Sequence, residues 1–152
     1  KSFSLYGERV GALTMIASDK DESARVLSQL KRVIRTNYSN PPTHGGTVVA
    51  KVLTSPDLRA EWEAELGEMR DRIRTMRASL VAKLKERGVT RNFDFVLQQR
   101  GMFSYSGLTA TQVDRLREEH GIYAVSTGRI CVAALNSRNI DAVADGIAAV
   151  LK

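Results

Sequence analysis

The sequence predicts an α/β chain built in two parts, and three observations predict it. An apolar stripe runs through the middle of the chain for roughly eight helical turns. Near the start, the short, mostly apolar run Ala12 to Ala17 reads as a buried strand, with no obvious partner of its own. Beyond Gly88 the pattern changes to strand, helix, strand, strand, helix.

With 152 residues, 43% of them hydrophobic and 26% charged, the chain has the composition of a globular domain able to bury a core. Its apolar runs are too short to cross a bilayer and no apolar leader opens it, so neither a membrane partner nor a signal peptide is expected. The single cysteine, Cys131, excludes an intramolecular disulfide framework and fits a cytoplasmic location. The chain begins with Lys, and its first residues already read as ordered motif, so a segment of a longer protein is expected. Such a segment need not balance its own net charge of +6, which makes nucleic-acid binding through a basic patch the minority reading.

The elements follow in order. Ser18 or Asp19 caps a helix that sets Val26, Leu27, Leu30, Val33 and Ile34 on one face and ends at Arg35. Residues 37–46, Asn-Tyr-Ser-Asn-Pro-Pro-Thr-His-Gly-Gly, are dense in turn formers and read as a loop, with a short helix over Val48 to Leu53 after it. Ser55-Pro56 starts the long helix. Leu58, Trp62, Leu66, Met69, Ile73, Met76, Leu80 and Leu84 form its stripe and Gly88 ends it, which predicts a helix over about 56–87. A mean helix has about 11 to 12 residues. This one is therefore expected to bridge two domains, residues 1–68 and 69–152, with an amphipathic helix on one core or a short coiled coil as the plainer alternative.

In the second part, Phe93, Phe95 and Leu97 alternate as a half-buried strand does, running towards Gly101 to Gly107. Thr109 with Gln112 forms a capping box for the helix carrying Val113 and Leu116. Ile122 to Val125 and Ile130 to Ala134 read as short strands around a Thr127-Gly128-Arg129 corner, and Ile140 to Leu151 as the last helix.

Candidate chemistry begins with Lys1 and Arg9, which flank a Gly-punctuated turn. A lysine amine can form an imine with a carbonyl compound, and an arginine fork can hold a phosphate in two parallel charge-assisted bonds. The pair suits a phosphorylated aldehyde, although on most surfaces such a pair is simply solvated. Arg35 at a helix C-terminus is favourable by about 0.3 to 1 kcal/mol without any function. Arg129 taken alone is a surface charge at a strand corner, and Phe103 an ordinary core aromatic. Cys131 and His120 have no second ligand at metal spacing, so no metal is expected, and His44 reads as a hydrogen-bonding loop residue.

Four segments give these residues a context. They are Lys1-Ser2-Phe3-Ser4-Leu5-Tyr6-Gly7-Glu8-Arg9-Val10-Gly11, Arg35-Thr36-Asn37-Tyr38-Ser39-Asn40-Pro41-Pro42, Gly101-Met102-Phe103-Ser104-Tyr105-Ser106-Gly107-Leu108, and residues 126–135, Ser-Thr-Gly-Arg-Ile-Cys-Val-Ala-Ala-Leu. In this order the chain resembles the class I pyridoxal-phosphate aminotransferases of the aspartate and aromatic-amino-acid group. The resemblance implies the C-terminal portion of a fold type I transferase. Residues 1–68 would then end the large cofactor domain, with Ala12 to Ala17 as one strand of its parallel sheet, and residues 69–152 would form an α+β small domain.

The resemblance also implies the site. Lys1 would form the imine with pyridoxal 5'-phosphate, Arg9 would bind its phosphate, Arg129 would pair with the substrate α-carboxylate, and Phe103 would form the pocket wall beside it. Arg35 would reach the neighbouring subunit's site and meet a distal carboxylate, which makes the active form a homodimer with shared sites. The aspartate expected at the pyridine nitrogen is missing from this segment, so the 152 residues alone are expected to be inactive. The implied activity is transfer of the amino group of an aromatic amino acid, and also of aspartate, to 2-oxoglutarate, giving the 2-oxo acid and glutamate. Ser4-Leu5-Tyr6-Gly7-Glu8-Arg9 is similar to the aromatic branch and Asn40 to the aspartate branch, so aspartate aminotransferase proper remains an alternative. A basic helical nucleic-acid-binding module is the alternative from another class. Against it, the charges Glu65, Glu68, Arg70, Asp71, Arg72 and Arg74 alternate in sign as on a solvated face.

Overall fold

Helix-forming stripes account for most of the architecture in a computed structural model that describes residues 3–152. The chain divides into two units, residues 1–63 and 64–152, and the long helix runs through the division.

The first unit carries helix α1 (Lys20–Asn37), helix α2 (His44–Thr54) and the start of helix α3 (Pro56–Glu86). Asp19 caps α1 by accepting from the Glu22 amide at 2.7 Å, as the sequence predicts. α2 begins four residues before the expected Val48. Gly45 and Gly46 lie inside its first turn, and at Gly45 the packing needs a residue without a Cβ: one built there would stand 2.5 Å from Val10 Cγ2. At the start of α3, the ring of Trp62 stacks on Phe3 at 4.8 Å.

Residues 12–17 form no strand among the described residues, which corrects the sequence reading; Ile16 is 97% exposed. A strand requires a neighbour for its backbone donors and acceptors, and no described residues pair with this stretch as a strand.

The second unit holds the core. Leu80, Val81 and Leu84 of α3 pack with Phe93 and Val96 and with residues of the later elements. These are helix α4 (Phe95–Gln98), strand β1 (Phe103–Tyr105), helix α5 (Ala110–His120), strand β2 (Arg129–Cys131), a 3-10 turn (Val132–Ala134) and helix α6 (Ile140–Leu151). α6 has the bounds expected for it, and both arms of the Thr109/Gln112 capping box are present. The α3 stripe therefore changes character along its length, from Met69 at 56% exposed to Leu80 at 1%.

Two strand expectations are corrected, and a third, Ile130 to Ala134, is shortened because Val132–Ala134 forms the 3-10 turn. Residues 95–98 are helical: Asn92 Oδ1 accepts from the Asp94 amide, and Phe93 and Val96, three apart, are the buried pair. Spacing three won over spacing two. Residues 122–125 form no strand, and the partner of β2 is β1, in an antiparallel ribbon that pairs Phe103 with Cys131 and Tyr105 with Arg129. No helix among the described residues is long and apolar enough to cross a membrane.

α3 and α6 are also joined by charge. Lys83 Nζ and Arg87 Nη2 reach Asp141 at 2.6 and 3.0 Å, and Arg87 Nε reaches Asp145 at 2.6 Å. The bond from Lys83, then that from Arg87, holds the Asp141 carboxyl below its ordinary range. A carboxyl that titrates lower when folded stabilises fully above its unfolded value, about 3.9, and loses that contribution as pH falls through the folded value. Asp141→Asn should therefore lower the urea midpoint more at neutral pH than at an acid pH below about 3.9. Equal losses at both pH values would refute the assignment.

Candidate active site

Arg9 lies in a turn with unusual backbone: Ser4, Gly7 and Arg9 have φ of 56°, 92° and 54°. A non-glycine residue in this region costs about 1 to 3 kcal/mol and persists only where its surroundings impose it. Here they do so through α2. Glu8 Oε2 lies 3.1 Å from His44 Nδ1, and Val10 and Glu8 crowd Gly45. With both neighbours held, Arg9 lines an open cavity of about 300 Å³ together with Leu5, Val10 and Gly11. No acidic side chain among the described residues pairs with Arg9. A guanidinium kept free of acids beside open space has the donor chemistry a phosphate needs, so this turn fits the phosphate end of the implied cofactor.

Arg35 stands in the last turn of α1, where its Nη1 donates to Ser39 Oγ. The chain leaves the helix sharply there, with the amides of Tyr38 and Ser39 both donating to Ile34 O at 3.0 Å and Ser39 at φ 66°. Arg35 is exposed and has no acidic partner among the described residues.

Arg129 and Phe103 are brought together in the second unit. Ser104 is buried between exposed Phe103 and Tyr105, so by alternation these two share a face of the ribbon with Arg129 and Cys131. Phe103 is the diagonal neighbour of Arg129, whose guanidinium carbon lies 4.8 Å from the ring centre. The backbone before Arg129 is tightly held. Ser106, fully buried, donates from Oγ and from its amide to Gly128 O at 2.7 and 2.9 Å. Gly128 has φ 83°, and a Cβ there would stand 2.7 Å from Leu108 O. Both facts require glycine.

Of the sequence-derived site residues, then, Phe103 and Arg129 share one face, Arg9 and Arg35 occupy separate settings in residues 1–63, and Lys1 lies outside the described residues. His44 is the first residue of α2 rather than part of a loop, and Cys131 is a half-buried free thiol. No group of three or more metal-ligating side chains occurs among the described residues. The sequence reading quoted Glu8, Ser106 and Gly128 only as parts of motifs. Their roles depend on contacts with Gly45 and Leu108, which spacing does not reveal.

A family profile described as aminotransferase class I and II matches residues 1–147. The chain is 69% identical over 151 residues to an aspartate aminotransferase of Pseudomonas aeruginosa and 55% identical to an aromatic-amino-acid aminotransferase of Escherichia coli, covering 99% of this chain in each case. It also superposes, with a TM-score of 0.90 and 76% identity over its whole length, on the crystal structure of an aromatic-amino-acid aminotransferase from Burkholderia pseudomallei covalently bound to pyridoxal phosphate. The chain spans 38% of the length of each of the three.

The Gly128 turn can be tested alone. Gly128→Ala should cost at least about 1 to 3 kcal/mol from backbone conformation, with the Leu108 contact adding to it. Ser106→Ala should cost about 1 to 3 kcal/mol by leaving buried polar groups unpaired. Urea midpoints check both, and a neutral Gly128→Ala would show that the turn relaxes freely.

Proposed function

Since the chain belongs to the class I and II aminotransferases, we propose that it is the C-terminal portion of a pyridoxal 5'-phosphate-dependent enzyme. That enzyme moves the amino group of an aromatic amino acid, and of aspartate, to 2-oxoglutarate. The observation that carries this reading is the family match over residues 1–147, which takes in all four motif segments. Relatives named for aspartate, for aromatic amino acids and for tyrosine support the breadth of substrate. The apolar surface of Leu13, Ile16 and Val33 supports the assignment of residues 1–68 to the end of a larger cofactor domain. Residues 69–152 would form the small domain.

When bound, the cofactor supplies an electron sink. Lys1 Nζ would attach it and, once displaced by substrate, would move the proton from the substrate Cα. Arg9 would hold the phosphate, and Arg129, backed by the Phe103 ring, would take the α-carboxylate in a two-bond fork. Arg35, from the neighbouring subunit of a homodimer, would take the distal carboxylate of aspartate, glutamate or 2-oxoglutarate. Two arginines at opposite ends of a pocket would measure a dicarboxylic acid. The lone cysteine supports a cytoplasmic setting. The nucleic-acid reading loses ground because long-helix cations are already engaged: Arg59, Arg74, Lys83 and Lys85 with acids, Arg72 and Arg77 with carbonyls.

Borohydride reduction of the full-length protein followed by mass spectrometry should find phosphopyridoxyl on Lys1; the label on another lysine, or none, removes that assignment. Arg35→Leu should lower kcat/KM for aspartate by about 30-fold or more, the loss expected for one partner of a buried charge pair, while sparing phenylalanine and tyrosine. Equal losses would make Arg35 structural. Activity on aspartate alone would favour aspartate aminotransferase proper.

A further inference from the structure

The second unit contains a buried cation that the proposed chemistry does not use. Arg77, in the middle of α3, is only 4% exposed, and no acid pairs with it among the described residues. Its donors go to one segment: Nη1 to Val96 O at 3.1 Å and to Ser104 Oγ, and Nη2 to Gly101 O at 2.7 Å and Phe103 O at 2.9 Å. Burial, with a smaller contribution from the charge of Arg100, pushes its pKa down. An arginine nevertheless keeps its proton in proteins, so the site holds a cation whose cost is offset only if its acceptors stay in place.

These acceptors surround Phe103. The carbonyl of Phe103 and the side chain of Ser104 are bonded to Arg77, while the Phe103 ring lies against the Arg129 guanidinium on the exposed face of the ribbon. One rigid path of two residues thus joins the helix to the carboxylate-reading arginine. We propose that Arg77 is a positioning residue for substrate: by fixing the backbone of residues 101–104 it holds the Phe103 ring, and through it the Arg129 fork, in the orientation that accepts the α-carboxylate. Arg77 itself touches neither substrate nor cofactor. The inference rests on the assignment of Arg129 made above.

The test uses the full-length holoenzyme carrying R77M, R77K or S104A, each also combined with R129L. Binding of 3-phenylpropionate, a carboxylate without an amino group, is measured by calorimetry beside KM and kcat for phenylalanine and the cofactor absorption band. R77M should weaken 3-phenylpropionate and raise KM by about tenfold or more, as expected when a binding group is misplaced by a fraction of an ångström to an ångström. The absorption band should not move, and R77K should restore part of the loss. In the R129L background R77M should add less than about twofold, because two residues acting through one contact are not additive. If R77M does not fold, R77K and S104A are read in the same way, each expected to give a smaller loss that vanishes with R129L. Losses of equal size in both backgrounds, or unchanged binding beside a lowered Tm, overturn the inference. A wild-type enzyme without transaminase activity overturns the functional reading and this inference together, whereas an active one with additive losses overturns the inference alone.

Discussion

The second unit depends on a charge placed where apolar packing would be expected. Taking a guanidinium out of water costs several kcal/mol, and Arg77 does so without a carboxylate to offset it. Hydrogen bonds to a charged group contribute about 1.5 to 3 kcal/mol each, so the burial is sustained only when several carbonyls converge on it. That requirement works in reverse on the chain. Val96, Gly101 and Phe103 must present their carbonyls to one point, which sets the path from α4 into β1 more tightly than a three-residue strand could do by itself. Arg72, five positions earlier on α3, does the same for the segment after β2 by donating to Ala133 O and Leu135 O, both at 2.8 Å. Between them the two arginines tie both strands of the ribbon to one helix.

The arginines of this chain fall into groups by partner, and the groups differ in use. Arg87 and Arg115 bond to carboxylates that push their pKa values up, and these pairs fasten neighbouring turns or helices. Arg72 and Arg77 are given to carbonyls. Arg9, Arg35 and Arg129 pair with no acid among the described residues, and each is held by something other than an acid bonded to its guanidinium: a strained turn seated on Gly45, a serine hydroxyl beyond a helix end, and an aromatic ring. Such a support orients a guanidinium while leaving its charge to an incoming anion.

Local sequence foresaw the elements whose signals are local. The Asp19 cap, the Thr109/Gln112 box and the start of α6 all arise within a few residues, and all are observed, as is the long helix that the spacing from Leu58 to Leu84 predicts. The misreadings share a cause. Phe93, Phe95 and Leu97 alternate as a strand does, yet the Asn92 side chain starts a turn that buries Phe93 and Val96. Residues 122–125 have strand composition, but Val125 meets β2 only through the tight turn at Gly128, its amide donating to Arg129 O and its carbonyl accepting from the Gly128 amide, and the ladder of β2 is made with β1. Ala12 to Ala17 is as apolar as a central strand and stays exposed for want of a neighbour.

The sequence by itself supplied the candidates for chemistry: Lys1 and Arg9 from residue type, and the roles of Arg35, Phe103 and Arg129 from the resemblance of four segments to the aminotransferases, because the charge and shape of a side chain belong to it wherever it lies. Tertiary structure decided how the described members of that set are held. The seat of Arg9 on α2, the glycine required before Arg129, and the buried Arg77 behind Phe103 all join residues distant in the chain. Contacts of that kind follow from how the backbone packs, and no spacing of letters along the sequence carries them.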